Sequence, residues 1–339
     1  MNILGIETSC DDTSASVYST RKGLISLTIS SQMEHAEFGG VVPELASRAH
    51  LSLIIPVIDQ ALIKAELCLK DIDGIAVTAG PGLVGSLLVG VSAGKALALA
   101  RSIPFIGVHH IEGHIQANFL EKPYPNYPSI ALVVSGGHTE LILMEAPLKY
   151  RVLGKTRDDA AGEAFDKVAK HLGLGYPGGP AIERAAHGKN ETFVDFPVSK
   201  VPDYEFSFSG LKTAVAVYAK KMGDSYTIRH RGDILASFQK AIVEALVTKT
   251  VKALENFENN TLLLAGGVAA NLALRERLQT EAEKRKFELF TPSLLYCTDN
   301  AAMIARAGHE RLIRGMESPL TLSPEPQLSL YSNLNDSIN

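Results

Sequence analysis

Residues 3–18 read Ile3-Leu4-Gly5-Ile6-Glu7-Thr8-Ser9-Cys10-Asp11-Asp12-Thr13-Ser14-Ala15-Ser16-Val17-Tyr18. An apolar run, a polar stretch from Glu7 to Ser14 and a second run of small and apolar residues predict strand, turn, strand. The same shape returns at 130–144, where an apolar run meets the polar turn Ser135-Gly136-Gly137-His138-Thr139-Glu140 and then Leu141-Ile142-Leu143-Met144. Two hairpins of one design predict a duplicated domain, and two irregularly spaced copies do not make a solenoid. The length of 339 residues agrees with two lobes, because a single core stops growing at roughly 250–300 residues.

Outward from the hairpins, apolar strand-like runs occur at 75–77, 105–108 and 262–265. A 3.6-residue period predicts helices over 43–65, 83–101, 160–172, 209–221, 233–257, 269–284 and 300–314, with a loop over 173–180. Strands alternating with helices indicate an α/β architecture. Residues 318–339 are rich in Ser, Pro, Asn and Leu without a period, and read as a loosely packed or partner-bound tail.

Bulk properties exclude several classes. The apolar fraction is 46% and the net charge is −4, from 33 basic and 37 acidic residues. That balance argues against a chain that grips nucleic acid alone, while leaving room for a small basic patch or a partner that supplies one. Cys10, Cys68 and Cys297 are scattered and form no framework, which fits a reducing, cytosolic compartment. No basic segment precedes a long apolar stretch near Met1, so no signal peptide is expected. The run 82–100 contains Lys95, two serines and four glycines. It predicts a buried or interface helix rather than a membrane span, and Gly90-x-x-x-Gly94 would let another helix approach.

The sharpest chemical signal is Val108-His109-His110-Ile111-Glu112-Gly113-His114. If it opens a helix, His110 and His114 lie one turn apart and both reach one metal ion. A helix that merely carries histidines has the same spacing. Asp299, in Tyr296-Cys297-Thr298-Asp299-Asn300, is the best third ligand, although an Asp ahead of a helix is also a natural N-cap. Two histidines and one carboxylate suit Fe(II), and zinc also binds such a set. A zinc protease needs Glu beside the first His. Glu112 stands two residues after His110, about 200° round a helix, so peptide hydrolysis is disfavoured.

Four glycine corners could hold phosphate or ribose: Gly80-Pro81-Gly82, Ser135-Gly136-Gly137-His138, Gly178-Gly179-Pro180 and Gly266-Gly267-Val268. None matches a Rossmann or Walker pattern. Any one of them reads equally as a plain turn, and together they favour a shared nucleotide cleft. In Asp158-Asp159-Ala160-Ala161-Gly162-Glu163-Ala164-Phe165-Asp166-Lys167, either leading Asp can cap a helix. Asp166, sharing a face with Glu163, can lie on a solvated surface or bind a ligand. Asp11 and His138 sit in polar turns and are candidate general bases, with bonding to their own backbone as the alternative.

Taken together, these stretches resemble one family. They are Gly5 through Thr13, the His110/His114 segment, Val134 through Thr139, Asp158 through Asp166, Tyr176-Pro177-Gly178-Gly179-Pro180, Phe206-Ser207-Phe208-Ser209-Gly210-Leu211-Lys212, Gly266 through Asn271 and Thr298-Asp299-Asn300. In order, from Asn2 to about Arg314, they are similar to the bacterial tRNA threonylcarbamoyladenosine transferase family (TsaD), once called glycoprotease. The resemblance implies an actin/Hsp70/sugar-kinase-like (ASKHA) α/β fold, two duplicated lobes with a ligand cleft between them. The lobes would span 1–115 with about 299–317, and 116–298. It implies metal-dependent transfer of threonylcarbamoyl from threonylcarbamoyl-AMP to N6 of the adenosine 3′ of the anticodon, in tRNAs reading codons that begin with A.

By the same resemblance His110, His114 and Asp299 hold the metal. Val133, Val134, Ser135, Gly136, Gly137, Asp166, Gly179 and Asn271 bind the adenylate, an adenine nucleotide. Glu183, where some relatives carry Asp, can touch its ribose. The implied partners are tRNA, a homologous inactive subunit (TsaB) docking on the 43–65 and 83–101 helices, and a small ATPase (TsaE), with no membrane involved. A sugar or carboxylate kinase of this fold and a non-enzymatic nucleotide-binding scaffold are the competing readings; the histidine pair sets the first apart.

Overall fold

The computed structural model describes residues 1–330 apart from 33, 34 and 39. Strands β1 (Asn2–Glu7) and β2 (Asp12–Ser19) form the first hairpin, with Ile3 opposite Tyr18 and Ile6 opposite Ala15. Strand β3 (Gly23–Ser31) adds antiparallel to β2. Helices α1 (His35–Phe38) and α2 (Pro43–Lys64) follow. Strand β4 (Gly74–Gly80) then pairs parallel with β1, helix α3 (Val84–Arg101) crosses over, and β5 (Phe105–His109) pairs parallel with β4. The order is β3-β2-β1-β4-β5. Helix α4 (His110–Gln116) continues directly from β5.

The second sheet repeats this plan. Strands β6 (Ser129–Val134) and β7 (Thr139–Ala146) make the second hairpin, and β8 (Lys149–Lys155) follows. Five helices intervene: α5 (Ala161–His171), α6 (Gly178–Ala186), α7 (Ser209–Met222), α8 (Asp224–Arg229) and α9 (Arg231–Asn256). Strand β9 (Thr261–Ala265) pairs parallel with β6, α10 (Leu272–Arg285) crosses over, and β10 (Glu288–Phe290) pairs parallel with β9. The order is β10-β9-β6-β7-β8. Read from β8, it is the order of the first sheet, so the duplication expected from the two hairpins extends to five strands. Helix α11 (Ala301–Leu312) is the last helix among the described residues.

Two compact units result, Met1–Tyr124 with Pro147–Tyr150 and the described residues from Pro292 on, and Pro125–Ala146 with Arg151–Thr291. The first unit thus runs past the expected boundary at 115/116 and resumes before 299. The reason is packing: Ala117 and Leu120 are buried in one cluster with Met303 and Ile304, and Ser293 Oγ donates to Glu121 Oε2 at 2.6 Å.

In the first unit the sheet is covered on both faces, and the period of two along its strands sorts the side chains. Leu4, Ile6, Val17, Ile75 and Val77 pack with Ile54, Ile58 and Leu62 of α2 and Val91 and Ala98 of α3. Ile3, Tyr18, Ala76, Ile106 and Val108 pack with Met303, Ile304 and Ala307 of α11. Each fully buried Leu or Ile contributes roughly 1.5–3 kcal/mol.

Helix α3 is the one described helix long and apolar enough to cross a membrane. Its glycines serve a different end from the one expected. A Cβ on Gly90 would strike Thr8 Oγ1, and one on Gly94 would strike Val77, so the pair brings α3 down onto its own sheet rather than a second helix onto α3.

Two further corrections concern the loop over 173–180 and the tail. Gly178-Gly179-Pro180 opens α6 instead of ending a loop, with Pro in the first turn where its missing N–H costs nothing. Residues 318–328 are not loosely packed. Ser318 N–H donates to Phe105 O at 2.8 Å, Glu325 N–H to Ala79 O at 2.8 Å and Gly82 N–H to Pro326 O at 3.2 Å, while Leu328 is buried beside Ala79. The remainder of that segment, 331–339, lies outside the described residues.

Candidate active site

His109 ends β5 and N-caps α4, its Nδ1 accepting from Ile111 N–H at 3.1 Å. The next turn presents His110 and His114, 6% and 0% exposed, with ring centroids 4.6 Å apart. Asp299 approaches from the start of α11. The cap of that helix is Asn300, whose Oδ1 accepts from Met303 N–H at 3.1 Å, so the capping alternative belongs to the neighbour of Asp299. The Asp299 carboxylate is turned to the histidines, Oδ1 lying 3.4 Å from His110 Nε2 and 3.2 Å from His114 Nε2. One ligand atom from each residue falls within 4.8 Å of the others, an arrangement that could hold a metal ion. Ligand atoms about 2.1 Å from a tetrahedral ion stand roughly 3.4 Å apart, so the group fits. Fully buried His114 has the Asp299 carboxylate within reach of its Nε2, and a cation bound there would be held between the two.

A carboxylate stands behind His110. Its Nδ1 lies 3.2 Å from Glu7 Oε2 and 3.2 Å from Ser9 Oγ. Glu7 itself accepts from Thr78 Oγ1–H at 2.6 Å and from Ser9 N–H. Such a carboxylate fixes the ring so that Nε2 faces the centre. Burial works against charge on His110, yet Asp299 and Glu7 outweigh it and raise the ring to about 10. Burial also opposes ionisation of Asp299, and His110 and His114 nevertheless hold it well below the usual carboxylate range. Sequence reasoning missed Glu7 and Ser9 as site residues. The available signal was a charged residue ending an apolar strand. Glu112 points away from the centre, as its angular position requires. It is fully buried and binds Arg311 of α11, Oε1 to Nε at 3.0 Å and Oε2 to Nη2 at 2.5 Å.

In the second unit, the carboxyl ends of parallel β6 and β9 carry two glycine corners side by side, Ser135-Gly136-Gly137 and Gly266-Gly267. Ligands in open α/β sheets bind beyond the carboxyl ends of strands. Gly266 has φ +90°, and a Cβ there would strike Val134 O, so only glycine fits. Gly136, Gly137, Gly179 and Gly267 instead face open space, leaving their backbone reachable by a ligand. The side chains expected to bind the adenylate have structural partners. Asp166 Oδ1 accepts from Gly178 N–H at 2.7 Å and so holds the start of α6. Glu183 Oε1 accepts from Leu272 N–H at 2.5 Å. Asn271 caps α10 through Leu274 N–H at 3.0 Å and donates to Gln239 Oε1 at 3.0 Å.

The leading acids do not cap α5. Asp158 Oδ1 accepts from Phe208 N–H at 2.8 Å, and Asp159 pairs with Lys167 and Lys212 at 2.8 and 2.7 Å. Ser135 and His138 close their own turn, Ser135 N–H donating to His138 O at 2.8 Å and His138 N–H to Ser135 Oγ at 3.1 Å. Asp11 lies in the β1–β2 turn, where its carbonyl accepts from Gln32 N–H at 3.3 Å.

Two sheets of one topology, each flanked by helices, define an actin/Hsp70/sugar-kinase-like α/β protein. The crystal structure of full-length HypF in its phosphate- and nucleotide-bound form shares this fold. It has a TM-score of 0.63 and 14% identity, over 93% of this chain and 56% of that one. The sequence profile described as TsaD, tRNA N6-adenosine threonylcarbamoyltransferase, matches residues 23–306. The enzyme of that name from Caldicellulosiruptor saccharolyticus is 51% identical over 98% of this chain and 99% of its own. That from Geobacillus thermodenitrificans is 52% identical over 97% and 96%. The chain belongs to the tRNA N6-adenosine threonylcarbamoyltransferase family, and it is a transferase that modifies N6 of a tRNA adenosine.

Proposed function

We propose that the chain transfers threonylcarbamoyl from threonylcarbamoyl-AMP to the adenosine 3′ of the anticodon in tRNAs reading codons that begin with A. His110, His114 and Asp299 would act as the ligands of one divalent ion. The observation that carries this reading is the convergence of two helix-borne histidines and one carboxylate in a buried group, backed by Glu7. Fe(II) suits the donor set and Zn(II) is the alternative. When bound, the ion supplies a Lewis acid that polarises an acyl or phosphoryl oxygen.

The chain's own residues supply the rest. The open backbone at Gly136, Gly137, Gly179 and Gly267 favours an anionic ligand, with Val133, Val134, Ser135, Asp166, Glu183 and Asn271 forming the adenylate corner. N6 attacks the carbamoyl carbon, the bond from that carbon to the phosphate oxygen breaks, AMP leaves with the electron pair and the amine proton passes to solvent.

The acidic balance of the chain supports sharing tRNA with partners, a TsaB-like subunit and a TsaE-like ATPase, in the cytoplasm. Leu51, Ile55 and Ile63 of α2 and Val84, Leu88 and Leu99 of α3 are all more than half exposed, an apolar surface suited to that subunit.

The test is metal content and adenosine modification of the wild type beside His110→Ala, each with threonine, bicarbonate, ATP and the partner proteins. Loss of both metal and modification in the variant is expected. Full modification by His110→Ala would overturn the metal's role.

A further inference from the structure

His109 is 4% exposed, and both its ring nitrogens are engaged. Nδ1 accepts from Ile111 N–H at 3.1 Å, and Nε2–H donates to the carbonyl of Leu328 at 3.0 Å. One neutral imidazole therefore links the first turn of α4 to the segment 318–328. That segment is itself firmly seated. It begins on the edge strand β5, where Gly107 N–H donates to Ser318 Oγ at 3.1 Å. Lys95 of α3 donates to Leu322 O. It then crosses the ends of β4 and β5 through the Ala79 and Gly82 contacts, and Leu328 N–H turns back to Glu325 O at 3.1 Å.

The link matters because α4 has only seven residues. A helix this short does not hold its geometry alone. An N-cap stabilises the first turn of a helix, and the cap here is only as fixed as the ring that provides it. His110 and His114 are the first and fifth residues of α4, so the pitch of its first turn sets the distance between their Nε2 atoms.

We infer that His109 is a positioning residue for the His110/His114 pair, and that the 318–328 strap acts on the metal centre through the Leu328 carbonyl. The inference rests on the metal-centre reading above. His109 touches no reacting atom. The strap orients the imidazole, the imidazole caps α4, and α4 sets the ligand spacing.

The test uses the full chain with Co²⁺ as probe, followed by its visible absorption, together with amide hydrogen exchange at Ile111 and in β1. Leu328→Ala and His109→Phe are expected to weaken Co²⁺ binding roughly tenfold, the lower end for groups that support a ligand. Both should speed exchange at Ile111 while β1 stays protected. His109→Asn should recover most of the affinity, because Asn caps the helix without help from the strap. Unchanged Co²⁺ affinity and unchanged Ile111 exchange in both Leu328→Ala and His109→Phe overturn the inference. A wild type that takes up no Co²⁺, with Ile111 still exchanging faster in the variants, sinks the metal reading and leaves the strap linkage standing.

Discussion

His110 Nδ1 meets Glu7 Oε2 at 3.2 Å across 103 positions of sequence. The contact joins the last residue of β1 to the first residue of α4. A carboxylate there makes the ring a better electron-pair donor and fixes which nitrogen faces Asp299. Glu7→Gln keeps the shape and removes the charge. We expect it to weaken binding of a divalent ion about tenfold or more, with little change in melting temperature. Metal titration of the two proteins under one buffer checks this.

The pair Glu112–Arg311 ties α4 to α11, the two helices that border the site, and both residues are at least 90% buried. Removing one partner strands a buried charge, which costs about 3–5 kcal/mol. Arg311→Met should lower urea-unfolding stability by that amount. The double variant with Glu112→Gln should lose less, and an equal loss in both would show that the pair is not the source.

Neighbouring glycines at the end of β9 should behave oppositely. Gly266→Ala meets both a left-handed backbone and the Val134 carbonyl, so a loss of at least about 2 kcal/mol is expected. A Cβ on Gly267 meets nothing within 4 Å. Gly267→Ala should melt close to wild type and bind an adenine nucleotide more weakly. Thermal melts with and without nucleotide separate the two effects.

Acid sensitivity should come in part from His309. Burial, helped by the Arg306 charge, lowers this ring from 6.5 to about 4, and Thr20 Oγ1 lies 2.9 Å from its Nε2. As pH falls, the unfolded chain takes the proton first, so stability present above pH 6.5 drains away toward pH 4. The slope from one such group is at most about 1.4 kcal/mol per pH unit. His309→Gln should flatten the pH dependence of the urea midpoint over that interval, and an unchanged profile would exclude this histidine.

What could be read from the sequence was whatever depends on short spacing. His110 and His114 are four residues apart, so one helical turn predicts their meeting. The two hairpins betray the duplication because each is a local pattern. Glu7 was not readable as a partner of His110, since only the pairing of β1 with β4, and of β4 with β5, brings them together. The choice between Asp299 and Asn300 as cap turns on backbone angles that composition does not carry; Asn300 is extended at φ −156° and takes the role. Gly90 and Gly94 looked like a helix-helix motif, and the same small residues equally serve a close helix-sheet approach. The strap is not legible because half-buried Leu322 and buried Leu328 stand singly, in a segment with no helical or strand period to display.

The first unit is discontinuous, and this bears on its synthesis. Helix α11, which covers one face of β1, β4 and β5, and Asp299 both come from beyond the entire second unit. A chain emerging from the ribosome can complete the second sheet before the first has its cover. Until Asp299 arrives, His110 and His114 have no carboxylate opposite them, so the three-residue group cannot form early. Assembly of the three-residue group thus has to wait until the second unit has been made and Asp299 has followed it.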